Sequence, residues 1–119
     1  MILELNTIET SHLPEFKGGQ KELAANMFFD GTNRIFKGCL TPGASIGVHT
    51  HDDSCEAIFI ISGKGAVYEA APEEKDNDAI TFKDVNTGDC IYCPKGHTHS
   101  LMNPSDSDED LVFYAAVIQ

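Results

Sequence analysis

Apolar and polar positions along this chain alternate in short bursts separated by turn-forming residues. The turn signals are "GG" (18–19), "DGTN" (30–33), "TPG" (41–43), "HDDS" (51–54), "SGKG" (62–65), "NTGD" (86–89), "PKG" (94–96) and "NPSDSD" (103–108). Between them lie segments rich in β-branched and aromatic residues: "RIFKGCL", "CEAIFIIS", "AVYEA", "AITFKDV", "DCIYC", "HSLMN" and "LVFYAAVI". Short strands at such spacing predict an all-β sandwich or barrel rather than a βαβ fold. No long segment carries a clean helical period. "QKELAANMFF" (20–29) mixes helix-favouring residues with flanks that suit a strand, and it is read as a strand. "CEAIFIIS" and "LVFYAAVI" are apolar on both faces, which predicts that both sides are covered, by a second layer or by another subunit.

Composition narrows the picture. With 119 residues and 41% hydrophobic content, the chain is expected to form one globular domain spanning 1–119. Eight basic residues against 19 acidic ones, with Arg34 the only arginine, argue against a nucleic-acid partner. The acidic stretches "EEKDND" (73–78) and "DSDED" (106–110) read as solvated loops. No apolar run approaches the roughly 20 residues that cross a bilayer, so no membrane partner is expected. "MILELNTIETSH" lacks the basic and apolar regions of a secretory signal, so a cytoplasmic location is the expectation. Cys39, Cys55, Cys90 and Cys93 are then expected as reduced thiols. The C-x-x-C of "CIYC" suggests redox chemistry, but residues three apart on a strand face opposite sides, so Cys90 and Cys93 are read as inert.

The candidate chemistry lies in "GVHTHDDSCE" (47–56). On a strand His49 and His51 point the same way, and after a turn Glu56 opens the next strand beside them. Two imidazoles and a carboxylate form a partial shell for a divalent transition metal. A fourth ligand must come from His12, His97 or His99, and "GDCIYCPKGHTHSLMN" (88–103) offers one.

The spacing of these two stretches resembles the paired signatures of the cupin superfamily. Gly43, His49, His51, Glu56 and Gly63 match the first; Gly88, Pro94, Gly96, His99 and Asn103 match the second, both without gaps. Five fixed positions arise by chance on the order of once per million starts, so two matches in one chain carry weight. The resemblance implies a small single-domain cupin: a double-stranded β-helix (jelly-roll) barrel, often a homodimer. It implies one metal held by His49, His51, Glu56 and His99, with zinc, iron, manganese, nickel and copper all known in such sites. Asn103 is expected to hold backbone around its turn, and the motif glycines to serve turns.

Around that cage, His97 is a candidate for the rim or a proton shuttle, although a turn-exposed role is the plainer reading. His12 is expected to be structural or exposed. One of Tyr68, Tyr92 and Tyr114 is expected at the cavity, while Arg34 or Lys95 could pair with an anion. Asp52 or Asp53 could supply a base at the entrance. Three functions fit: a Lewis-acid isomerase or lyase on a sugar or sugar-acid-like compound, a metal-dependent dioxygenase, or a non-catalytic binder of a small molecule.

Overall fold

The computed structural model describes residues 1–74 and 80–119, so most of the acidic stretch at 73–78 lies outside the described residues. Ten strands are described: β1 (Thr10–Pro14), β2 (Glu22–Phe29), β3 (Arg34–Leu40), β4 (Ser45–Thr50), β5 (Cys55–Ser62), β6 (Lys64–Ala70), β7 (Lys83–Asn86), β8 (Cys90–Cys93), β9 (Thr98–Met102) and β10 (Leu111–Ile118). They form a six-stranded sheet, β1-β2-β3-β10-β5-β8, and a four-stranded sheet, β4-β9-β6-β7. Every pairing is antiparallel. This is the all-β architecture that the strand spacing predicts and the double-stranded β-helix that the resemblance implies.

The inner faces of the two sheets meet in a core that includes Leu23, Phe36, Leu40, Ile58, Leu101 and Phe113. Burying each such side chain contributes about 1.5–3 kcal/mol. Phe36 and Phe113 pack edge to face with centroids 6.1 Å apart. The Phe113 ring lies so close to Gly38 that a Cβ there would come within 2.3 Å of it. Asn103, fully buried, donates from Nδ2 to the carbonyls of Leu40 and Glu109, each at 2.9 Å, and so ties the end of β9 to β3 and to the loop before β10. That is the backbone-holding role expected of it.

Three expectations change in detail. β1 is a strand in a stretch where none was expected; only Leu13 in it is even partly buried, so its sequence carries almost no alternation. The strand expected at 79–85 begins only at Lys83, with Ile80 and Phe82 exposed and residue 79 outside the described set. The outer faces of β5 and β10 are not covered by a second layer: Phe59, Ile61, Tyr114 and Ile118 stand exposed. No described helix is long and apolar enough to cross a membrane.

Candidate metal centre

β4 delivers the first histidine. A bulge between Ile46 and His49 interrupts its pairing with β9, and beyond it His49 lies directly opposite His99. Such a bulge re-aims the side chains that follow it. β4 ends at Thr50, and His51 is fixed just past the end by its own backbone. Its N–H donates to the His97 carbonyl (3.0 Å), and its carbonyl accepts from the Gly96 N–H (2.6 Å). Gly96 makes that tight turn at φ 86°, a conformation open to glycine and costly to most residues. Glu56 comes from the other sheet, where it pairs across β5 with Val117 and Cys93.

These four side chains converge. The Nε2 atoms of His49, His51 and His99 form a triangle with sides of 3.1, 3.0 and 3.2 Å. Oε1 of Glu56 lies 3.1 Å from His51 Nε2 and 2.9 Å from His99 Nε2. All four donor atoms fall within 4.8 Å of one another, which makes the group one that could hold a metal ion. A metal about 2.0–2.1 Å from three nitrogens at right angles would set them roughly 3.0 Å apart, close to the observed triangle.

Hydrogen bonding on the far side of the rings suits the same purpose. His49 Nδ1 donates to the Gly47 carbonyl at 2.7 Å, which leaves the Nε2 lone pair of the neutral ring pointing inward. His51 Nδ1 lies 3.1 Å from the Ser54 hydroxyl. His99 Nδ1 is buried without a partner among the described residues. Burial pushes the His49 pKa down to about 4; the Gly47 carbonyl opposes this and the neighbouring His99 and His51 add to it. Burial pushes the Glu56 carboxyl up, but hydrogen bonds from His51 and His99 outweigh it and hold the group at about 2. A neutral His49 and an ionised Glu56 are the protonation states a metal requires.

A cavity of about 390 Å³ opens over the four residues. Ile46, Ile58, Leu101 and Val117 make up part of its apolar wall, and Lys17, Arg34, Asp53 and Ser54 also line it. The Arg34 guanidinium stacks 4.5 Å above the Phe29 ring.

Known proteins share this fold. The sequence model of the family described as Cupin matches residues 23–119. The chain belongs to the cupin family. An oxalate-binding protein of Thermotoga maritima is 24% identical over 124 residues, covering 99% of this chain and 93% of its own. A crystal structure of a predicted oxalate decarboxylase from Thermotoga maritima superposes with a TM-score of 0.80 at 22% identity, covering 99% of this chain and 98% of that one. A cupin 2 conserved barrel domain protein from Salinispora arenicola gives a TM-score of 0.63 at 18% identity, over 100% of this chain and 87% of that one.

Within this cupin, the other candidates separate clearly. His97 does not line the metal cavity: β9 starts only at Thr98, and His97 faces a second hollow beside Glu69, Lys83 and Tyr92. None of the three tyrosines lines the metal cavity. Tyr68 is buried near Phe82, and Tyr92 and Tyr114 lie exposed on the outer face. Arg34 lines the cavity and Lys95 does not; Asp53 lines it and Asp52 does not. His12 sits exposed on β1 against Glu22. Cys90 is exposed and Cys93 buried, both as free thiols, and burial together with Glu56 pushes the Cys93 thiol up to about 12. Lys17 and Phe16 line the cavity without having been expected there. Lys17 adopts a positive φ of 56°; the glycines at 18–19 mark the turn in the sequence, but nothing in the residue type at 17 marks this conformation.

Proposed function

We propose that residues 1–119 act as a single cupin domain that binds one divalent transition metal through His49, His51, Glu56 and His99. The metal then holds a small chelating carboxylate of the oxalate kind. The observation that carries this reading is the convergence of three imidazole nitrogens and an ionised carboxylate within 4.8 Å, in a cavity that Lys17 and Arg34 also line. The inward Nε2 lone pair of His49 and the ionised Glu56 carboxylate are donors that a cation among them would join. In a chain of net charge −11, Lys17 and Arg34 at the cavity are exceptions to the prevailing sign and favour an anion. The names of the Thermotoga maritima relatives point to the same ligand class.

When bound, the metal would act as a Lewis acid toward oxygen ligands. The chain's own residues then orient the ligand: the Gly47 carbonyl and Ser54 hold the rings of His49 and His51, and the apolar wall keeps bulk water from the bound head group. A second reading, a lyase or isomerase on a sugar or sugar-acid-like compound, is favoured by Asp53. It is a carboxylate on the cavity wall outside the cage, placed to move a proton.

The test is elemental analysis of the untagged protein beside a variant carrying both His49→Ala and His99→Ala, followed by calorimetric titration of oxalate into the loaded protein. About one equivalent of zinc, iron, manganese, nickel or copper, lost in the variant, is the expected result, with oxalate binding only to the loaded form. A protein that takes up no metal on reconstitution sinks the proposal.

A further inference from the structure

The metal cavity is much larger than oxalate. Two linked carboxylates displace on the order of two to three waters, or roughly 60–90 Å³ at about 30 Å³ each. The cavity measures about 390 Å³. Much of its wall is hydrocarbon, from Phe16, Met27, Phe36, Ile58, Leu101 and Val117, beside the polar Lys17, Arg34, Asp53, Ser54 and Gln119. A chamber of this kind is suited to an apolar group rather than to a chain of waters.

Part of that wall comes from outside the segment that the family shares. Leu13, Phe16 and Lys17 precede residue 23, where the match to the cupin family begins. Leu13 lies on β1, and Phe16 and Lys17 belong to the connection between β1 and β2, which includes a 3₁₀ turn at Phe16–Gly18. The connection is held tightly in place. The Lys17 carbonyl oxygen lies where a Cβ on Gly47 would be, 2.0 Å from it, and the Ser45 carbonyl stands equally close to a Cβ on Gly19. Backbone bonds close the turn from Glu15 N–H to Lys21 O (2.7 Å) and from Gly18 N–H to Glu15 O (2.9 Å). Three non-glycine residues, Glu15, Lys17 and Lys21, sit at φ 48°, 56° and 54°. Such conformations persist only where the surroundings enforce them, and they cluster at ligand clamps. The strained turn presses Phe16 over the chamber and carries the Lys17 ammonium to its edge, 5.5 Å from the Phe16 ring centre.

We infer that the ligand is a chelating acid with an apolar side chain, a 2-oxo or 2-hydroxy acid bearing a branched aliphatic or aromatic tail. Its carboxylate and adjacent oxygen occupy the metal end, and its tail fills the chamber under Phe16. The residues that select the tail are those of the β1–β2 connection. This rests on the metal-and-carboxylate reading above and goes beyond it in naming the class.

The test is calorimetric titration of the full chain, loaded with manganese or zinc, with oxalate, pyruvate, 2-oxobutyrate, 2-oxoisovalerate, 2-oxoisocaproate and phenylpyruvate. Each buried methylene is expected to tighten binding roughly three- to fourfold. From pyruvate to 2-oxoisocaproate the gain then reaches on the order of thirty- to sixtyfold. Phe16→Ala is expected to remove most of that gain, and Phe16→Leu to restore part of it, with metal content and circular dichroism reporting that each variant is folded and loaded. A flat series in the unmutated protein, with oxalate bound as well as any 2-oxo acid, overturns the inference and leaves the carboxylate reading standing. Binding of none of these acids overturns both. A tail-dependent gain undiminished in folded, loaded Phe16→Ala overturns the role of the β1–β2 connection.

Discussion

The two faces of the six-stranded sheet are alike in composition and opposite in fate. On the inner face β5 and β10 present Ile58, Ile60, Phe113 and Ala115 to the second sheet, together with one buried carboxylate, Glu56. On the outer face the same strands present Phe59, Ile61, Tyr114 and Ile118, joined by Tyr92 of β8, with nothing in the described chain covering them. Apolar content therefore does not distinguish core from surface here. What distinguishes them is the exception each face carries. The inner face admits a charged group because histidines from the opposite sheet meet it. The outer face of β5, β8 and β10 carries no charged residue at all, in a chain with 27 of them (8 basic plus 19 acidic). Contiguous exposed apolar surface free of charge marks an interaction site. For a chain of net charge −11, a face without carboxylates is also where a second copy meets least repulsion. We expect that face to pair the homodimer that the cupin resemblance implies.

Substitutions on the two faces sharpen the contrast. Phe113→Ala, which empties a fully buried position, is expected to cost about 3–5 kcal/mol in urea unfolding. A loss under about 1 kcal/mol would mean that the inner face is not the core.

Acid tests the polar exception of the inner face. In metal-free protein the folded His49 has a pKa of about 4 against an ordinary 6.5, so between these values the unfolded chain binds the proton that the folded one refuses. Stability is therefore full above pH 6.5 and falls as pH drops toward 4. The Glu56 contribution, present above 4.5, is lost only as pH falls on toward about 2. Melting temperatures in chelator should decline across the first window and decline less steeply in His49→Gln; equal slopes would remove His49 as the cause.

The smallest change in folding stability is expected outside. Phe59→Lys should alter monomer stability by no more than about 0.5 kcal/mol. It should nonetheless shift sedimentation from dimer to monomer. Wild-type protein that sediments as a monomer at its highest soluble concentration would show that the outer face serves something else.

The sequence discloses this molecule unevenly, for physical reasons. β3, β5, β6, β8, β9 and β10 are legible because β-branched runs end at turn residues, and Gly43, Gly63, Gly88 and Gly96 all adopt positive φ as turn positions should. His49, His51 and Glu56 are legible from their spacing and His99 from the resemblance to the paired cupin signatures, and the structure gathers all four. β1 is illegible because an edge strand with one inward residue has no alternation to detect, and its terminal Pro14 suits only an edge. The cavity's Phe16 and Lys17 are illegible because their placement depends on non-glycine residues held at positive φ by tertiary contact. His97 misleads because alternation counts back from His99 into a turn, where it no longer applies.

The cage takes His49 and His99 from one sheet, His51 from the turn just past β4 and its carboxylate from the other sheet, beside the first residue pairs of β9, while Asn103 clasps β3 just past the far end of the same strand. The barrel is thus fastened at both ends of β9 by unlike devices: amide hydrogen bonds at one end, and at the other the four side chains proposed to hold a cation. Its mechanics are those of a jaw with a fixed hinge. Withdrawing the ion should loosen the ligand-bearing end first, so that amides near His51 and Glu56 exchange with solvent well before those near Leu40 and Asn103.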